Sequence, residues 1–238
     1  MTDRASLLLI PGLLCDAALW QNQISALKNM ANYTVVDTTR HDDIRAIARD
    51  VLAAAPRRFA LAGLSMGGYV ALEIMRQAPE RVTRLALLDT SARPDTEEQK
   101  HRRRLLLVMA QEGRFKGVTP RLLPMLIHPD HIHDVALTTI IMEMAERVGR
   151  DAFFNQQTAI LNRTDSRPYL KDIACPTLVL GGRQDAITPP DIVQEIANGI
   201  KGARLSIIEE CGHLSTLERP DAVNALMKEW LSGGTKIG

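Results

Sequence analysis

Cysteine is scarce in this chain: Cys15, Cys175 and Cys211 stand far apart among 238 residues. An odd number at such spacing gives neither a disulfide framework nor a cysteine-based zinc site, and it fits a reducing, cytoplasmic compartment. Aromatic residues make up only 4%, too few for a surface that stacks nucleobases. Charge of either sign is almost cancelled, leaving +1 at pH 7, so no overall field draws in nucleic acid or an acidic membrane. No apolar run approaches the roughly 18 residues that a membrane span needs. The opening "MTDRASLLLIPGLL" is interrupted by Pro11-Gly12 and makes a poor signal peptide. Gly-x-Gly-x-x-Gly and Gly-Lys-Ser/Thr are both missing, which removes the dinucleotide fingerprint and the phosphate loop. There is no internal repeat and no low-complexity tract. What is present, 45% hydrophobic and 24% charged residues, describes one generous globular domain with a real core.

Strand and helix patterns alternate through the first part of the chain. "SLLLI" (6–10), "YTVVDT" (33–38), "FALAGL" (59–64) and "VTRLALLDT" (82–90) read as strands. Between them, 17–30, 43–55 and 67–78 have helical spacing. Continuous apolar strands separated by helices predict a parallel sheet covered on both faces. From 93 to 165 no strand is convincing, and four helical patterns, "EEQKHRRRLLLVMAQEG", "GVTPRLLPMLI", "DVALTTIIMEMAERVG" and "DAFFNQQTAILNR", suggest an inserted helical cap. The alternation resumes with strands at 176–182 and 203–209 and helices at 191–200 and 219–231. The expected organisation is therefore a core in two parts, 1–92 and 166–238, around a cap at 93–165, with the final "SGGTKIG" as a frayed tail.

One stretch carries chemistry. "GLSMGG" places Ser65 between a buried strand and a helix, with glycines two residues before and after it. A Gly-x-Ser-x-Gly at that junction is a nucleophile elbow: the turn is too tight for bulk at Gly63 or Gly67, and it lifts the serine hydroxyl above the strand ends. A serine hydroxyl is a weak nucleophile near neutral pH and needs an oriented base. Asp185 lies just past the strand in "LVLGGRQDAITPP", and His213 just past the last strand in "IIEECGHLSTLERP". Asp89, at the end of "LALLD", is the competing acid. Two backbone N–H groups are required for an oxyanion. Met66 supplies one; the other belongs to the loop "IPGLLCD", with Leu13 first and Leu14 second.

Together "PGLLCDAALW", "GLSMGG", "CPTLVLGGRQDAITPP" and "CGHLSTLERPDAV" resemble the α/β-hydrolase superfamily over nearly the whole chain. The resemblance implies an α/β fold with a largely parallel sheet of about six strands, a helical cap, and a Ser65–Asp185–His213 triad with Leu13 and Met66 as oxyanion donors. It departs from many relatives in having Pro11-Gly12 where they have His-Gly. Only five residues precede "SLLLI", so the two extra leading strands of many relatives are not expected. A sheet edge left bare in this way suggests a homodimer. The implied activity is hydrolysis of small carboxylic esters or related acyl compounds by a serine enzyme without metal or organic cofactor. Alternatives on the same residues are C–C bond hydrolysis, thioesterase, lactonase or perhydrolase chemistry. A reading from another class is a silent ligand-binding protein on this fold.

Smaller signals leave two readings each. "HPDHIH" (128–133) is a metal site or a solvated cap loop. "KHRRR" (100–104) receives an acidic partner or forms a polar helix face. Met109, Met125, Met142 and Met144 line an adaptable acyl pocket or pack the core, and Met142 and Met144 cannot share one helix face. Leu14, Trp20 and Met142 are candidates for the pocket wall, Trp20 alternatively bracing the first helix. Cys15 and Cys211 flank the site loops without a base beside them.

Overall fold

Alternate residues of the central strands point into two different hydrophobic cores. In β1 (Ala5–Ile10), Leu8 and Ile10 join one cluster while Leu7 and Leu9 join the other. In β3 (Phe59–Leu64), Phe59 and Leu61 face one way and Ala60, Ala62 and Leu64 the other. β4 (Val82–Leu88) and β5 (Thr177–Gly182) repeat the pattern. Burial on both faces removes the polar/apolar alternation of a half-exposed strand and leaves the continuous apolar runs seen in the sequence. The two remaining strands, β2 (Ala31–Val35) and β6 (Arg204–Ile208), are more exposed and occupy the edges.

The computed structural model describes residues 4–233, so the last five residues of the expected "SGGTKIG" tail and the first three of the chain lie outside it. The six strands form one sheet in the order β2-β1-β3-β4-β5-β6, and every pairing is parallel. One face is covered by α2 (Ile44–Ala54), α3 (Met66–Gln77) and α7 (Pro190–Gly199), through side chains such as Ile47, Val70 and Val193. The other is covered by α1 (Gln21–Leu27) and α9 (Pro220–Ser232), through Leu27, Val223, Met227 and Trp230. Trp20 is fully buried in this second core. There it packs in the same cluster as Leu19, just before α1, and Leu27 of α1, as a residue bracing the first helix would.

Between β4 and β5 the described chain contains only helices: α4 (Glu97–Met109), α5 (Leu123–Leu126) and α6 (Val135–Leu161). α4 opens with a capping box, Thr96 accepting from the Gln99 N–H and Gln99 reaching back to the Thr96 N–H. The pattern expected at 117–127 yields only the short α5, because proline is tolerated in a helix's first turn, where Pro124 stands, but not in its interior, so no helix runs through both Pro120 and Pro124. The two patterns expected at 134–163 form one run, broken at Gly149, whose φ of 79° and ψ of 179° are not helical. The segment's entry and exit meet: the Ser166 N–H donates to the Ala92 carbonyl at 2.8 Å, and Arg163 donates to the Arg93 carbonyl at 3.1 Å and to Asp95 at 2.7 Å. Arg103 reaches the same buried Asp95 at 2.6 Å, so this member of "KHRRR" turns inward instead of forming part of a polar face. Among the described residues no helix is long and apolar enough to cross a membrane.

Candidate active site

The strand order reverses between β1 and β3, since β2 lies on one side of β1 and β3 on the other. In an open α/β sheet the loops leaving such neighbours form a crevice beyond the strand ends. The loop after β1 and the turn after β3 meet there. A Cβ placed on Gly12 would lie 3.4 Å from the Ser65 Cβ.

Ser65 has φ 55° and ψ −115°, a conformation that L-residues seldom adopt and that costs on the order of 1–3 kcal/mol. Its surroundings hold it there. The Ser65 N–H donates to the Leu88 carbonyl at 2.9 Å, and the Thr90 hydroxyl donates to the Ser65 carbonyl at 2.7 Å. The flanking glycines are sterically required: a Cβ on Gly63 would lie 2.2 Å from the Gly67 carbonyl oxygen, and one on Gly67 would lie 2.1 Å from the Ile10 oxygen.

The structure brings Ser65, His213 and Asp185 into line. His213 Nε2 is 2.8 Å from Ser65 Oγ, and His213 Nδ1 is 2.8 Å from Asp185 Oδ2. The network assigns the proton of the neutral ring to Nδ1, leaving Nε2 to accept from the serine hydroxyl. Burial alone would push the Asp185 carboxyl up. The neighbouring His213, the Thr188 hydroxyl at 2.6 Å and the Thr188 N–H outweigh it, and the carboxyl titrates below its ordinary value. Burial pushes His213 down, and Asp185, together with Asp89 and Glu218, more than offsets this, so the imidazole titrates above its ordinary value.

Asp89 is also buried here, but its hydrogen bonds go elsewhere than to His213. One of its oxygens accepts from the Gly182 N–H at 3.0 Å, the other from the Ser215 hydroxyl at 2.5 Å. Burial, with Asp185 nearby, holds its carboxyl well above the usual range.

Of the two amides proposed in the loop after β1, Leu14 donates to Gln156 Oε1 at 3.0 Å. Gln156, fully buried on α6, also donates to Thr38 at 3.0 Å. The Leu13 and Met66 N–H groups have no acceptor among the described residues. Gln156 and Thr188 carry no signal in the sequence, where an isolated Gln or Thr is indistinguishable from a surface residue. Leu14 is buried against Ala110, Ala145 and Phe153 of the inserted segment, which therefore covers this loop. Met142 is half-buried on α6, Met144 is in the second core, and Met109 and Met125 are exposed.

Burial raises the Cys15 thiol to about 12 and pushes Cys211 higher still, so both stay protonated. "HPDHIH" is not a solvated loop throughout: His131 lies 3.0 Å from the buried carboxylate of Glu218, while His133 is exposed. A cavity of about 140 Å³ lies apart from these residues, between α2, α3 and the end of α6. Three charged side chains of its lining are already paired, Arg163 with Asp95, Arg93 with Glu195 and Glu73 with Arg76.

Comparison with known proteins agrees with this architecture. The alpha/beta hydrolase family model matches residues 7–226. A Mycobacterium tuberculosis protein provisionally named a non-heme bromoperoxidase is 30% identical over 213 residues, 88% of this chain and 79% of that one. A thermophilic esterase from Thermogutta terrifontis superposes with a TM-score of 0.88 at 28% identity, over 98% of this chain and 92% of its own. The enol-lactonase from Burkholderia xenovorans LB400 also gives 0.88, at 25% identity over 97% and 92% of the two chains. Carrying that parallel sheet and a family match over nearly its whole length, the chain belongs to the alpha/beta hydrolase family.

Proposed function

We propose that this protein is a serine hydrolase that cleaves small carboxylic esters through an acyl-enzyme. The observation that carries the reading is the pair of 2.8 Å contacts linking Ser65 Oγ to His213 and His213 to Asp185. His213 Nε2 takes the Ser65 proton as the oxygen attacks the ester carbonyl. The carbonyl oxygen, now negative, accepts from the Leu13 and Met66 N–H groups. The intermediate collapses, the alkoxide leaves with the proton from His213, and an acyl-serine remains. A water molecule, deprotonated by His213, attacks the acyl carbon and releases the acid and the free serine. Asp185 keeps the ring in the working tautomer and stabilises the imidazolium formed in each half-reaction. No step calls on a metal or an organic cofactor.

Lactones are cyclic esters and need no change in these roles. The likeness to the enol-lactonase favours including them among the substrates tested. The deciding experiment is labelling with a fluorophosphonate, alongside hydrolysis of p-nitrophenyl acetate and a set of lactones and thioesters. Wild type is expected to label at one residue, Ser65, and His213→Ala to lose labelling. A well-folded wild type that neither labels nor turns over any of these compounds would sink the reading in favour of a binding role.

The base has to be neutral to accept the proton. Because Asp185 holds His213 above its ordinary value, kcat/KM is expected to rise with pH through a midpoint above about 6.5. A midpoint below that value would count against the ion pair's dominance over burial. The measurement is kcat/KM on p-nitrophenyl acetate from pH 5 to 9.

A further inference from the structure

The short helix α8 (Ser215–Glu218) follows His213 directly and ends on a glutamate whose side chain is completely buried. Burying a carboxylate is costly unless donors surround it. Four do. Oε1 accepts from the Gly212 N–H at 2.9 Å and the Leu214 N–H at 3.4 Å. Oε2 accepts from the His128 N–H at 2.6 Å and meets His131 Nδ1 at 3.0 Å. The first two donors flank His213; the second two belong to the inserted segment. The His213 N–H itself donates to the Leu126 carbonyl at 3.0 Å. The two strands of chain press together closely here, since a Cβ on Gly212 would lie 2.7 Å from the Ile127 backbone. Ile127 and Leu214 are both buried in the second core.

We infer that Glu218 is a positioning residue: its carboxylate clamps the His213 loop to residues 126–131, so the base and the seat of the inserted segment take up their places together. One oxygen holds each side. Only a carboxylate offers two acceptor oxygens in this arrangement. Glutamine would turn one of them into a donor, aimed at an N–H or at a ring nitrogen. The inference rests on His213 being the base proposed above.

The test compares wild type with Glu218→Gln and His131→Ala, measuring kcat, KM and the pH dependence of kcat/KM on p-nitrophenyl acetate, with thermal unfolding as the check on folding. Glu218→Gln is expected to lower kcat roughly 10- to 100-fold through misplacement of the base, with KM changed less than about threefold. Asp185, Asp89 and Glu218 are the carboxyl groups that act to raise His213, Asp185 most strongly. Loss of one negative charge should therefore move the acid limb of the profile to lower pH, a shift that a purely structural role would not produce. His131→Ala removes one donor of four and is expected to give a smaller fall in kcat.

Amide hydrogen exchange in the wild type serves if Glu218→Gln does not fold. His128, Gly212, His213 and Leu214 should then exchange as one unit, with protection matching within about tenfold. A folded Glu218→Gln with wild-type kcat and an unmoved acid limb overturns the inference, as does a His128 amide that exchanges far faster than Gly212. Either result leaves an active wild type intact, whereas an inactive wild type strikes the proposed function itself.

Discussion

Ser65→Ala is expected to lower kcat/KM for esters by roughly 10⁴-fold or more while leaving the chain folded. The size follows from what is removed. Without Oγ there is no acyl-enzyme, and His213 loses the group whose proton it accepts at 2.8 Å. The remaining activity would come from the oxyanion donors and from water activated by His213, which together supply only part of the acceleration. The elbow itself should persist, because the Ser65 N–H to Leu88 and Thr90 to Ser65 carbonyl bonds involve the backbone at position 65 and survive the change. The measurement is kcat/KM beside a thermal unfolding curve. A folded Ser65→Ala with activity within about tenfold of wild type would show that the nucleophile lies elsewhere.

Asp185→Asn carries the second large effect, roughly 10³- to 10⁴-fold in kcat. Asparagine is nearly the same size, but it brings no negative charge to the imidazolium, and its amide can present N–H₂ to Nδ1. The ring is then favoured in the tautomer that carries its proton on Nε2, facing Ser65, where it cannot accept. Asp89→Asn is the control that decides between the two carboxylates. Asp89 holds Gly182 and Ser215, and its carboxyl is already pushed toward the neutral form by burial. A neutral amide there should cost less than about tenfold. Comparing kcat/KM for the two variants at pH 8 settles the assignment, since a larger loss in Asp89→Asn would exchange their roles.

Much of this arrangement is legible in the order of residues along the chain. Apolar runs such as "SLLLI" and "FALAGL" announce strands buried on both faces because nothing but such burial tolerates them. The elbow is legible because bulk is forbidden at Gly63 and Gly67, so backbone geometry leaves its mark directly in residue type. Element ends are less legible. The second strand is Ala31–Val35 instead of 33–38, because it pairs with β1 from Ala5 onward and its outward residues are exposed at the edge. Asp185 and Asp89 both follow buried strands, so the sequence favours Asp185 but keeps Asp89 as a competitor. Which one reaches His213 depends on the loop bearing Thr188 and on how Ser215 turns toward Asp89. Gln156 and Glu218 are invisible for a similar reason. Each acts on backbone atoms 142 and 6 residues away respectively, and a backbone acceptor or donor has no signature in the sequence. Trp20 has two readings in the sequence, a pocket wall or a brace for the first helix, and the structure buries it fully in the second core.

The knot of Asp95, Arg163, Ala92 and Ser166 has a meaning for how this protein can change over generations. Both ends of the inserted segment are tied at one spot, and β4 and β5, which they leave and enter, are neighbours in the sheet. Material can be lengthened, shortened or exchanged beyond the knot without pulling those two strands out of register. The segment is thus an interchangeable part, carried on a chassis that keeps Ser65 and Asp185 where they are. The exception is the stretch 126–131, which is tied to Glu218 and to the His213 N–H and would have to be kept through any such exchange.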